Sequence, residues 1–465
     1  MSLRKYIGDR AFYSRLSAVM VPMLVQNLIT NFVSLLDNVM VGQVGTEPMS
    51  GVAIVNQLLF VLNLFLFGGL AGVGIFTAQF YGKGDEEGLR STVRAKLCFA
   101  LAAVALGLVV FLCFGERLIS LFLHPGEEDL NLAATLRYGK AYLAVMLVQI
   151  APFALTQTYS STLRETGETV LPMRAGIAAV LVNLVFNYIL IFGKLGVPAL
   201  GVVGAALATV LSRFVECGVV VIWTHRHRQR MPFVRGLYRS LRVPRGLLKQ
   251  ILVLGTPLLL NELLWSGGMT MLNQCYSLRG LEVVSAFNIS STVGNLFFFC
   301  AFIATGNAIS IMIGQLLGAG ELERAVDEDR KLIAFSLALS VAVGLLMALV
   351  APLIPRLYNT TDAVKALAVK LLLIYAAMMP LFSYTNSCYF TLRSGGKTLI
   401  TFVFDSLFVW VMSIPVAFVL SHYTGMPIVP MYAIVELLNL IKCAIGFFMV
   451  RQRKWVVNLV GKSEK

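Results

Sequence analysis

Apolar residues fall along this chain in long blocks separated by short polar stretches. Twelve blocks can be drawn, at about 16–41, 52–80, 97–114, 136–160, 171–193, 199–222, 250–276, 284–316, 332–350, 367–391, 398–420 and 430–450. Most match the roughly 20 residues that a helix needs to cross a lipid core. Stretches such as Leu181 to Phe192 and Leu296 to Ile303 do not alternate as the strands of a membrane barrel do. Lipid leaves no partner for an open backbone, so the blocks predict helices. The expected fold class is an all-α polytopic membrane protein with twelve transmembrane helices. The first block is too long, and too interrupted by Gln26, Asn27, Asn31 and Asp37, to read as a cleavable signal.

The blocks come as two sets of six. Residues 22–27 (PMLVQN) face 257–262 (PLLLNE), and 50–54 (SGVAI) face 285–289 (SAFNI), both at a spacing of 235. Gln79 to Gly84 faces Gln315 to Gly320 at 236, and Leu163 to Thr169 faces Leu392 to Thr398 at 229. Chance punctuation has no reason to hold this register. Six helices per set return the chain to its starting side. The two bundles are therefore expected to be parallel repeats, related by a pseudo-twofold axis along the membrane normal. The predicted lobes are 1–222 and 250–465, joined by a cytoplasmic linker at 223–249.

Composition agrees with lipid as the main solvent. The chain is 58% hydrophobic and 13% charged, with a mean hydropathy of +0.80. Its net charge of +14 could suggest nucleic acid. Most of the 38 Lys and Arg, however, lie in the two termini and in the loops after even-numbered helices. This is the positive-inside pattern, which places both termini in the cytoplasm and leaves no basic surface with stacking aromatics for a nucleic acid. The densest basic cluster, Arg226 to Lys249, reads as lying against anionic headgroups. The seven cysteines contain no C-x-x-C pair and read as small buried apolar residues. The four histidines read as loop residues, and no metal site is expected beyond one for a coupling Na⁺.

Gly396-Lys397-Thr398 looks like the tail of a phosphate loop, but Thr391 stands where that motif needs glycine. No loop is long enough for an ATPase domain, so transport would draw on an ion gradient. Acids inside the spans are then the leading candidates, because a carboxylate in lipid is costly without a task. Asp37 lies in helix one, Glu262 in helix seven, Asp405 in helix eleven and Glu436 in helix twelve. Glu216 reads as half of an ion pair with Arg213 three residues earlier. Gln26, Asn27, Asn31, Ser34 and Asn38 accompany Asp37 and suggest a wet interior face. Asn183 and Asn187 add an (i, i+4) amide pair on helix five. An acid beside amide oxygens can hold a proton or a Na⁺. Most of the 30 Phe, 15 Tyr and 18 Met read as lipid contacts or packing. A cavity-facing minority would suit flat apolar cations.

Leu36 to Gly42 with Gly45, Gln79 to Gly82, Leu163-Arg164 with Gly167, Asn187 to Gly193, and Gly204 to Thr209 resemble the multidrug and toxic compound extrusion family. Pro257 to Trp265, Gln315 with Gly318, and Leu392 to Gly396 extend the likeness through the second half, over about residues 12 to 450. The resemblance implies two six-helix bundles around a V-shaped cavity and efflux of drugs in exchange for H⁺ or Na⁺, with no cofactor. Asp37 matches that family's helix-one acid, Asn183 its helix-five asparagine and Thr209 its helix-six threonine. Asn187 stands where several members carry a second acid, and Leu381 to Asn386 lacks the helix-ten acid of others.

The expected coupling site is therefore Asp37, Asn183, Asn187 and Thr209. Asn27, Asn31, Asn261, Glu262, Asn386 and Asp405 are the candidates for the substrate cavity. The expected setting is a prokaryotic inner membrane, with the protein a monomer whose partners are small organic substrates and lipid. The alternative is a flippase for lipid-linked oligosaccharides or polysaccharide precursors, from the same superfamily. It would need cations in its cavity, and the intramembrane cations here are few: Arg137, Lys140, Arg213, Lys370 and Lys442. An enzyme is not expected, since no predicted span contains the histidines of a catalytic cluster. Nor does any stretch read as a channel filter.

Overall fold

A computed structural model describes residues 5–123, 131–358 and 360–461, apart from the side chains of residues 33–35, 38, 39, 299 and 300. Ser34, Asn38, Cys300 and His124 thus lie outside the described set. The twelve expected spans appear as helices. These are α1 (Arg10–Gly42), α2 (Thr46–Lys83), α3 (Glu86–Ser120), α4 (Leu132–Glu165), α5 (Val170–Phe192) and α6 (Val202–Arg226). In the second half they are α7 (Arg245–Ser277), α8, α9 (Leu322–Val350), α10 (Asp362–Ser394), α11 (Thr398–Tyr423) and α12 (Ile428–Arg451). Helix α8 is composite, with Leu281–Phe297 and Ile303–Gly318 joined by a π turn at Phe298–Phe302. Among the described residues, ten helices are long and apolar enough to cross a membrane, and α1 and α8 complete the twelve.

Many helices run past the apolar blocks because polar caps, rather than hydropathy, set their ends. Asp85 accepts the Gly88 N–H at 2.8 Å and starts α3 well before residue 97. Asn131 accepts the Ala134 N–H at 3.0 Å before α4, and Thr361 accepts that of Val364 at 3.4 Å before α10. Each supplies an acceptor to a first-turn donor that the helix leaves unpaired. His225 and His422, expected in loops, occupy the last turns of α6 and α11. Cys98 and Cys113, expected to be buried, are exposed, while Cys275 and Cys388 are buried.

The chain packs as two units. The N-terminal unit comprises Val25–Thr77 and Asp85–Gln250, and the C-terminal unit comprises Met1–Leu24, Ala78–Gly84 and Ile251–Lys465. Within the C-terminal unit the two Gln-x-x-Gly motifs meet. A Cβ on Gly82 would lie 1.9 Å from the Gln315 carbonyl oxygen, and one on Gly318 would lie 1.9 Å from that of Gln79. Only glycine lets the two backbones approach so closely.

The repeat also governs local backbone. After α4, Gly167 (φ +86°) lets the Glu168 N–H reach the Leu163 carbonyl at 2.8 Å. After α10, Gly396 (φ +74°) lets the Lys397 N–H reach the Leu392 carbonyl at 3.1 Å. Both are left-handed glycine stops closing the same six-residue ring.

Residues 223–249 fold onto the N-terminal unit. Two 3₁₀ turns, Pro232–Val234 and Leu237–Arg239, bury Phe233 and Leu237 completely. Arg94 on α3 donates to the carbonyls of Gly236 at 3.1 Å and Leu237 at 3.2 Å. The segment expected to lie against headgroups thus has an anchored apolar inner face, while its eight Lys and Arg side chains remain exposed.

Candidate cation site and a second polar cluster

Helix α5 has two unlike faces. Leu181, Val185 and Tyr188 are each more than half exposed, as suits a lipid-facing surface, whereas Asn183 and Asn187 are buried one turn apart. The Asn187 amide donates to Asp37 Oδ1 at 2.6 Å and to Asn183 Oδ1 at 3.1 Å. Asn183 Nδ2 donates to Thr209 Oγ1 at 3.3 Å, and the Thr209 hydroxyl donates to the Ala205 carbonyl at 3.0 Å. A half-turn of the Asn183 amide would instead bring its nitrogen 2.8 Å from Asp37 Oδ1. All four expected residues therefore form one hydrogen-bonded run across α1, α5 and α6. Asn187 Oδ1 is buried without a donor. The run thus presents a carboxylate, two amide oxygens and a hydroxyl, one of them unsatisfied. That oxygen set fits a proton or a small cation.

The sequence reading missed Tyr142, a buried residue on α4 within the field of Asp37 whose hydroxyl donates to Asn56 Oδ1 at 3.3 Å. Nothing in its own block, 136–160, marks it out, and only packing brings it here. Asn31 is exposed, and its amide is spent on the Asn27 carbonyl at 2.8 Å. Asn27 is half-buried one turn earlier.

The C-terminal unit gathers a different cluster. Asp405 stands in a π turn of α11, Val403–Leu407, where it binds Lys442 Nζ at 2.6 Å and accepts the Asn261 amide at 3.1 Å. Asn261 is buried on α7, and its Oδ1 accepts the Ser406 hydroxyl at 2.7 Å and the Ser406 N–H at 3.3 Å. The widened turn helps free that N–H. Glu262, the next residue, is half-buried within the fields of Arg393 and Asp405 and pairs with neither. Asn386 donates to the Phe302 carbonyl at 2.8 Å, covering an oxygen that the π turn of α8 exposes. The Arg213–Glu216 pair forms as expected, at 2.8 Å.

Lys96 and Asp329, the most deeply buried of the charges, escaped the sequence reading because each lies in a polar helix end taken for a loop. Lys96 on α3 is fully buried and binds Glu165 at 2.5 Å and Ser161 at 3.0 Å. Asp329 on α9 is equally buried and accepts the Thr391 hydroxyl at 2.6 Å.

A twelve-helix membrane protein in two units, with an unsaturated oxygen site held among three of its helices, has the architecture of a transporter. The MatE family model matches the chain twice, over residues 22–189 and 257–419. The matches begin 235 positions apart, as the repeat does. The chain belongs to the MatE family; it is a transporter and not an enzyme. It is 27% identical over 406 residues to a probable multidrug resistance protein NorM of Thermotoga maritima, covering 86% of this chain and 84% of that one. It is 27% identical over 414 residues to a probable multidrug resistance protein YoeA of Bacillus subtilis, covering 89% and 88%. Its fold is shared with a multidrug resistance MATE family transporter in an outward-facing conformation, at a TM-score of 0.85, 21% identity and 97% coverage of both chains.

Proposed function

We propose that this protein is a secondary antiporter that exports drugs or other small organic molecules, many of them cationic or amphipathic, in exchange for H⁺ or Na⁺. The observation that carries this reading is the run from Asp37 through Asn187 and Asn183 to Thr209, with its unpartnered amide oxygen. A coupling ion entering there neutralises Asp37 and completes the amide's hydrogen bonding or coordination. Alternating access then follows from movement of the lobes, 1–222 and 250–465, about the 223–249 linker. Relatives named as multidrug resistance proteins support the substrate class. The reading also takes the protein as a monomer in a prokaryotic inner membrane, with both termini in the cytoplasm.

A flippase for pyrophosphate-linked sugars receives less support, because three of the five candidate cations are engaged. Lys442 is bound to Asp405, Arg213 to Glu216 and Lys140 to Glu116. The test is cationic dye efflux from energised vesicles, with Na⁺ and proton gradients imposed separately. One gradient should drive efflux in the wild type, and Asp37→Asn should abolish it at unchanged membrane content. Unchanged efflux would remove Asp37 from the mechanism.

A further inference from the structure

Each set of six helices ends on a short segment that folds back onto its bundle. After α6 it is the linker, with Phe233 and Leu237 buried and Arg94 of α3 bonded to its carbonyls. After α12 it is residues 452–461, where Arg453, in the left-handed region at φ +55°, turns the chain, and Trp455 and Val460 are 1% exposed. The Trp455 indole N–H donates to the Val450 carbonyl at 3.0 Å. Both segments thus have an apolar inner face, but they hold different helices. The linker bonds α3, a helix of its own set. The second segment bonds the end of α2, a helix of the other set.

That contact is built around Gln79. Its side chain is fully buried, and its amide carries two N–H donors and an acceptor oxygen. The nitrogen donates to the carbonyls of Ser394 at 3.1 Å and Val457 at 3.3 Å, and the oxygen accepts the Leu459 N–H at 2.8 Å. One turn further on, Lys83 donates to the Val460 carbonyl at 3.2 Å. Asn458 donates to the Gly318 carbonyl at the end of α8, at 3.3 Å, while its own oxygen accepts the N–H groups of Val460 at 3.1 Å and Gly461 at 2.7 Å. Against α10 the segment leaves no room for a side chain. A Cβ on Gly395 would lie 1.7 Å from the Trp455 carbonyl oxygen. Residues 455–461 therefore bind together the ends of α2, α8 and α10.

Helix α2 divides between the units, its residues up to Thr77 belonging to the N-terminal one and Ala78–Gly84 to the C-terminal one. We propose that residues 452–461 are a latch, which holds the end of α2 in the C-terminal unit and lets go when the lobes part on that side. The proposal rests on the alternating-access reading above, in which lobe 1–222 moves against lobe 250–465 and carries α2 with it. While the latch is closed, the buried Gln79 amide is bonded at both its nitrogen and its oxygen. Drawing α2 away strands that amide until water or another partner replaces those bonds. The segment thus adds to the hold that the glycine crossing of α2 and α8 already supplies, and weights the equilibrium between the two access states.

The experiment is pulsed electron spin resonance on the full chain in lipid nanodiscs, with the native cysteines replaced by alanine and spin labels carried by Tyr81→Cys and Leu322→Cys, both exposed positions. The label pair reads the distance from the end of α2 to the start of α9. Gln79→Leu should raise the ratio of long to short distances about tenfold over the parent chain. Truncation before Arg453 should do the same, and the two changes together should do no more, because both remove one set of bonds. Unchanged distances, or effects that add, overturn the proposal. If neither variant is recovered folded, Asn458→Ala decides by the same readout, and an unchanged distribution overturns the latch. Unchanged distances in a chain that still exports dye would overturn the latch and leave the Asp37 reading in place. Failure of the Asp37 reading shows in the dye assay, which these distances do not need.

Discussion

The two units place the same pair of helix positions face to face and fill them differently. In the C-terminal unit Asn261 of α7 donates to Asp405 of α11 at 3.1 Å. Their counterparts, 235 and 229 positions earlier, are Gln26 and Gly176, and a Cβ on Gly176 would lie 3.1 Å from Gln26 Nε2. Conversely, Asp37, Asn183 and Asn187 have Leu272, Met412 and Val416 at those spacings. Each unit therefore keeps a half-buried carboxylate bonded between the first and fifth of its six helices, at a different place. The N-terminal acid is bonded by amides and lies near an unsatisfied oxygen. The C-terminal acid already has its cation, Lys442. An exchangeable ion needs unsaturated oxygens, whereas a built-in lysine makes a fixed strut. Duplicating a fold thus duplicated the frame but not the site.

This contrast can be broken at several points. The largest effect is expected at Asp37, where Asp37→Asn should bring ion-driven dye efflux down to the background of empty vesicles, whereas Asp405→Asn should leave the choice of driving ion unchanged. Next is the strut. Lys442→Met strands the Asp405 carboxylate and should cost about 3–5 kcal/mol, read as a lower thermal midpoint in detergent, while the double variant Lys442→Met/Asp405→Leu should recover most of it. Asn183→Ala removes one amide of the run without touching the carboxylate. It should lower affinity for the driving ion by about tenfold, seen as a rightward shift of efflux against ion concentration. Smallest is Asn31→Ala, which should leave stability within about 0.5 kcal/mol and efflux unchanged, since the exposed amide serves only its own helix.

Twelve helices, a twofold repeat, the family and the grouping of Asp37 with Asn183, Asn187 and Thr209 were all legible in the sequence. Long apolar blocks admit only helices, a constant register betrays duplication, and amides one turn apart on an apolar helix must share a face. Hydropathy could not reveal charges buried in helix ends that look like loops. Lys96 and Asp329 have such polar neighbours, and only the approach of Glu165 and Thr391 shows that they are enclosed. Nor could it separate Asp405 from Glu436, two acids in apolar surroundings. Their difference lies in what packing brings to them: a lysine and an asparagine in one case, aromatic rings beside Tyr432 in the other. Periodicity along one helix fixes which face a residue occupies. Whether that face meets a cation, an amide or a ring depends on residues far away in the chain, and packing alone decides it.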